Sequence, residues 1–146
     1  THNLADKHDT HVAVALRTIA ACRRLPIEKR PTDLFGCEVW RGLDWVMDDE
    51  KILLNLSKQE NLQSALLSVF DSQISGGKRY DLATLARRRA NASYLESHAI
   101  DSATALSIAI DLTPLLQDDL LSPATLAQGY IQRFQNDVIS RLERVG

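Results

Sequence analysis

Between its few glycines and prolines the chain repeats apolar residues every three or four positions, the spacing of a helix face rather than the alternation of a strand. The spacing predicts a first helix from about Leu4 or Asp9 to Leu25, with Val12, Ala15, Leu16, Ile19 and Cys22 on one face and Pro26 as its stop. A second helix is predicted after Asp33, a good N-cap, carrying Cys37, Trp40, Leu43 and Met47, followed by a short apolar piece from Ile52 to Leu56. Ser57-Lys58-Gln59-Glu60 reads as a capping box, opening a third helix striped by Leu62, Ala65, Leu66, Val69 and Phe70 and closed near Gly76-Gly77. Asp81 should cap a fourth, Leu82 to about His98, with Leu82, Leu85, Ala86, Ala90 and Tyr94 on its face. Those mostly small residues suit a close helix crossing.

The segment after Asp101 leaves little polar surface at Ala103, Leu106, Ile108, Ala109, Ile110 and Leu112, which predicts a helix at the centre of the core, ended or kinked by Pro114. Ser122-Pro123 is an N-cap followed by proline at the first helical position. From there Leu126, Tyr130, Phe134, Val138 and Leu142 recur every four residues along a long amphipathic helix. No internal repeat, low-complexity run or separating linker interrupts the pattern. The expectation is therefore an all-α fold: one helical domain over 1–146, a compact bundle of five to six helices, orthogonal or up-down, with no sheet.

Composition narrows the partners more than the fold. The chain has 146 residues, 45% hydrophobic and 25% charged, the average balance of a globular protein. With 17 basic against 19 acidic residues it lacks the basic excess that accompanies phosphate-backbone binding, so a nucleic-acid partner is disfavoured. The longest nearly uncharged stretch, Ser102 to Leu116, is interrupted by Asp111 and Pro114 and is too short to span a bilayer. No charged-then-apolar segment opens the chain, which starts at Thr1, so a targeting peptide is expected to be removed or absent.

Both cysteines flank one predicted loop, Cys22 three residues before the end of the first helix and Cys37 three residues after the start of the second. In an antiparallel helical hairpin such positions face each other, which makes Cys22–Cys37 a disulfide candidate; two buried thiols packed as small hydrophobes are the alternative. The bridge would imply an extracytoplasmic compartment, free thiols the cytoplasm.

His2, His8 and His11 crowd the first residues with Asp6 and Asp9. On a helix His8 and His11 would face one way, making them the candidate metal ligands, although solvated histidines in a first turn are the ordinary reading and no metal or other cofactor is expected. The pair His8-Asp9 resembles the signature of metal-dependent HD phosphohydrolases over those two residues, without the matching upstream histidine and downstream aspartate. Ser75-Gly76-Gly77-Lys78-Arg79 lacks the P-loop spacing and reads as a helix end. Glu96 and His98 stand two apart, so they do not form the Glu-x-x-His motif of di-iron bundles.

Residues 78–100, with Arg87, Arg88 and Arg89, loosely resemble a helix-turn-helix one residue short and without a turn glycine. Asp111, inside the most apolar segment, must pair with an arginine or accept backbone hydrogen bonds if buried. Trp40 and Trp45, five apart on one predicted helix, point away from each other, so one of them is expected at the surface as a binding residue. These residues point to a non-catalytic helical interaction module of the adaptor, chaperone, immunity or sensor type, with a protein partner or self-association ahead of a small ligand; the Leu126 to Leu142 stripe could pack against its own copy as well as against the core. The alternatives are a transcriptional regulator using 78–100 and a helical enzyme whose site forms only in three dimensions; the reading leans against an enzyme.

Overall fold

The computed structural model describes residues 1–146 and corrects the fold class. Six helices accompany a three-stranded antiparallel sheet, so the chain is α+β rather than all-α. In order the elements are α1 (Asp9–Arg23), β1 (Phe35–Cys37), β2 (Lys51–Asn55), α2 (Glu60–Ser68), α3 (Asp71–Ile74), α4 (Tyr80–Tyr94), β3 (Leu106–Asp111), α5 (Pro114–Gln117) and α6 (Pro123–Val145). The strands lie in the order β1-β3-β2, with Phe35 opposite Asp111, Gly36 opposite Ile110 and Cys37 opposite Ala109.

The predicted second helix is the first casualty. Residues 35–37 form β1 and residues 38–47 form an irregular segment, so Cys37, Trp40, Leu43 and Met47 share no helix face. The short apolar piece after it is β2. The predicted central helix is the central strand β3, which keeps its central place in a different geometry. Its residues Leu106, Ile108, Ala109 and Ile110 are buried on both faces, and a short apolar run of this length with isoleucines fits a covered strand as well as a buried helix.

The chain divides into two compact units, Thr1–Ile52 with Ile108–Gly146, and Leu53–Ser107; the division falls within β2 and β3. The first unit holds the main core: Ile19 from α1, Leu34, Leu43 and Val46 from the irregular segments, Ile108 and Ile110 from β3, Leu112, Leu115 and Leu116 around α5, and Tyr130 from α6. Gly36 is required there, because a Cβ would come within 3.0 Å of the Asn3 backbone and of Leu112. Two arginines tie the carbonyl ends together. Arg23 donates to the carbonyls of Leu115, Asp118 and Leu121, at 2.7, 2.9 and 2.7 Å. Arg30 donates to those of Leu25, Leu116 and Arg23 and forks onto Asp119.

The second unit has a much smaller core of Ala92, Ala103 and Leu106, with Leu95 against it. The Ser57–Glu60 capping box does not form. Ser57 Oγ instead donates to Asn55 Oδ1 and accepts from the Thr104 amide, and α2 starts at Glu60 with no side-chain cap. The helix also ends early: Val69 and Phe70 interrupt it before α3, and Gly77 takes a positive φ of 107° in the turn beyond. The predicted stripe of α2 faces solvent at Leu62, Leu66, Val69 and Phe70, while the buried residue is Gln63, which donates to the Leu56 carbonyl and accepts from Arg88. Asp81 stands inside the first turn of α4 rather than at its cap, where the forked hydrogen bonds of Arg79 lower its carboxyl to about 2.

Candidate functional site

α6 begins as its sequence requires: Ser122 Oγ accepts from the Thr125 amide at 3.0 Å and Pro123 occupies the first turn. Its first half is anchored. Tyr130 is buried in the main core, its hydroxyl donates to the Asp111 carbonyl at 3.1 Å, and burial followed by the charges of Asp111 and Glu50 raises its pKa. Arg133 stacks over the Tyr130 ring and pairs with Glu50.

Beyond Phe134 the same stripe leaves the core. Leu142 is 68% and Val145 79% exposed, and Val138 and Ile131 are exposed as well. Phe134, Val138, Leu142 and Val145 form one wall of an open cleft of about 750 Å³, whose other wall is residues 44–48, with Asp44, Val46, Met47 and Asp48. The floor is alkyl and aromatic, from Val46, Met47, Phe134, Val138 and Leu142, and the lip carries Asp44, Asp48 and Asp137 against one cation, Arg141. Arg141 is held by Asp137 at 2.7 Å, one turn away on α6. An arrangement of this kind binds by removing apolar surface from water and orients its occupant by the charged lip.

A second cluster gathers the three predicted histidines. The Asp6 side chain is fully buried and its carboxylate accepts from the backbone amides of His8 and Trp40, both at 3.1 Å, and from His11 Nδ1 at 3.1 Å. Burial pushes its pKa up, but the two amides and His11 together outweigh it and hold the carboxyl below its ordinary value. Because a carboxylate only accepts, the His11 proton sits on Nδ1. The His11 ring stacks on His2 with centroids 4.1 Å apart and planes within 5°. Burial and then the neighbouring His11 lower the His2 pKa, against a smaller opposing pull from Asp6. His8 lies across the edge of the Trp40 ring. The candidate ligands His8 and His11 are thus close, yet no set of three ligating side chains converges there or elsewhere on a position for a metal.

The remaining candidates are dispersed. Cys22 and Cys37 are free, half-buried thiols that do not approach each other. The hairpin that would have paired them needs a second helix, and Cys37 lies on a strand instead. Cys22 packs against the main core. Trp40 and Trp45 are both half-buried, contrary to the split predicted from a shared helix: the Trp45 indole donates to the Gly42 carbonyl and packs on the core, while Trp40 borders the histidines. Arg87, Arg88 and Arg89 stand on α4, which is uninterrupted from Tyr80 to Tyr94 where a helix-turn-helix would break. Arg88 bonds Gln63. Asp111 ends β3 half-buried rather than enclosed, and its carboxylate accepts from the Thr113 amide at 2.8 Å.

The cleft was not read from the sequence as a site. The stripe Leu126 to Leu142 was visible, but its opposite wall comes from a segment predicted as helix. The signal that could have found it is the length of the stripe, which continues to Val145, past what a short core needs. Comparison of the chain with family models, with curated proteins and with solved structures finds no match.

Proposed function

We propose that this chain is a non-catalytic interaction module that takes an apolar surface of a protein partner into the cleft between residues 44–48 and the C-terminal half of α6. The single observation that carries the reading is the exposed continuation of the α6 stripe beyond Phe134, from Val138 to Val145, along an open apolar wall. An apolar stripe that continues beyond the core it serves leaves surface that association can bury. The side chains on the floor supply adhesion, and the aspartates on the lip supply orientation.

The test uses 1-anilinonaphthalene-8-sulfonate, which fluoresces in apolar clefts, on the wild type and on Leu142→Asp. Leu142 is mostly exposed, so the variant is expected to keep its fold, checked by circular dichroism. The reading expects the dye signal to fall at least severalfold in the variant. Unchanged fluorescence would place the adhesive surface elsewhere, as on the exposed face of α2, and would overturn the assignment.

A further inference from the structure

One side of α6 carries Ile131, Phe134, Val138, Leu142 and Val145, with Ile139 off to its flank. Their separations are three, four, four and three, a series that reads the same in both directions. At about 100° per residue the five fall within roughly 80° of the helix circumference, a single seam. A two-fold axis through Val138, perpendicular to the helix, would set Ile131 against Val145, Phe134 against Leu142, and Val138 against itself. Every position of the seam then meets another apolar position of the seam, which is the condition for an isologous contact between identical helices.

The flanks obey the same symmetry. In an antiparallel pair, each edge of the seam faces the same edge of the other copy. One edge carries Asp137 and Arg141, and the other carries Gln135 and Ile139. Asp137 of one copy would lie beside Arg141 of the other, and the reverse, with the axis displaced by one residue, about 1.5 Å, from Val138. The uncharged edge brings no like charges together. Within a single chain the Asp137–Arg141 pair already has its partners one turn apart on the surface, so association adds a second attraction to each without moving either far.

We infer that the occupant of the cleft face is a second copy of this chain, docked through α6 against α6 in antiparallel orientation with the two-fold axis near Val138. The inference rests on the cleft reading and names its partner. The exposed seam is short, so the contact belongs to the weak, reversible class, with a dissociation constant on the order of 10–100 µM. A partner of this size is not held by area alone, and the charge pairs fix its direction.

The experiment is sedimentation velocity on the full chain from low micromolar to about 1 mM, repeated for Asp137→Arg, Arg141→Asp and the double variant. The expected result is a concentration-dependent shift from monomer to dimer in the wild type. Each single reversal places like charges across the axis and weakens association about tenfold, and the double reversal restores it. Circular dichroism confirms that all four remain folded. A dimer indifferent to all three variants would use another surface and would overturn the inference. A wild type that stays monomeric to the top of the range also overturns it. In that case the dye measurement separates the two claims: binding lost in Leu142→Asp keeps the cleft as the interaction surface for a different partner, and binding unaffected removes both.

Discussion

Asp6 shows how one side chain can be misread from its neighbours in sequence. It stands among histidines and looks like a ligand, yet its carboxylate is fully buried and spent on two backbone amides and one imidazole. Replacing it by alanine leaves those donors without their acceptor, so Asp6→Ala should cost about 2–3 kcal/mol, read from urea denaturation. The pH dependence follows from the directions of the shifts. The Asp6 carboxyl is lowered on folding, so its contribution is complete above the ordinary value of 3.8 and disappears as pH falls through the lower folded value. His2 is lowered too, so its neutral form is the one the fold prefers. That preference is complete above 6.5 and lost as pH falls from 6.5 through the folded value. The melting temperature should therefore begin to fall below about pH 6.5 in the wild type, and His2→Gln should remove this first step while leaving the later one. A first step that survives in His2→Gln would assign it to another group.

At the scale of elements, the sequence was legible where a local rule meets no competitor. α1 ends within a few residues of its predicted stop at Pro26, and α6 starts at the predicted Ser122-Pro123 with the hydroxyl bond in place. Ser122→Ala should lower stability by about 1 kcal/mol, and a thermal melt is sufficient to read it. The rule failed where two structures share one pattern. Short apolar runs such as Ile52 to Leu56 and Leu106 to Ile110 carry no period of their own, and tertiary pairing made them strands. The capping box failed because Ser57 found other partners, Asn55 and the Thr104 amide, that only the folded chain brings close. The α2 stripe failed in another way: the helix formed and buried Gln63 instead of its leucines. Arg23 makes three bonds to carbonyls nearly a hundred residues away, which have no local signature in the sequence. Those bonds predict that Arg23→Ala loses about 2 kcal/mol, and that Arg23→Lys recovers only part, since an ammonium cannot reproduce the fork.

For the whole molecule, the candidate site shows the same division. Half of it, the α6 wall, was written in the sequence as a four-residue repeat; the other half depends on an irregular segment that no periodicity announces. The tryptophans, of which one was expected at the surface, are both half-buried, and the exposed apolar residues of the proposed interface are aliphatic ones on the stripe that the sequence offered for self-association as well as for the core. What converts that stripe from core to interface is a mismatch of length: α6 has 23 residues, and its only buried one is Tyr130 in the first half. An antiparallel copy resolves the mismatch by covering the remainder.

The most direct test of that account is oxidation of Val138→Cys at about 100 µM protein, within the range of the expected dissociation constant, followed by mass spectrometry of the joined peptides. Facing helices about 8–10 Å apart bring residues at a two-fold axis within disulfide reach. The account predicts a covalent dimer whose linkage is residue 138 to residue 138, while the same substitution at Ser140, on the far side of the helix, gives little. Linkage at equal rates from both positions, or linkage only to Cys22 or Cys37, would contradict an antiparallel pairing of α6 with itself.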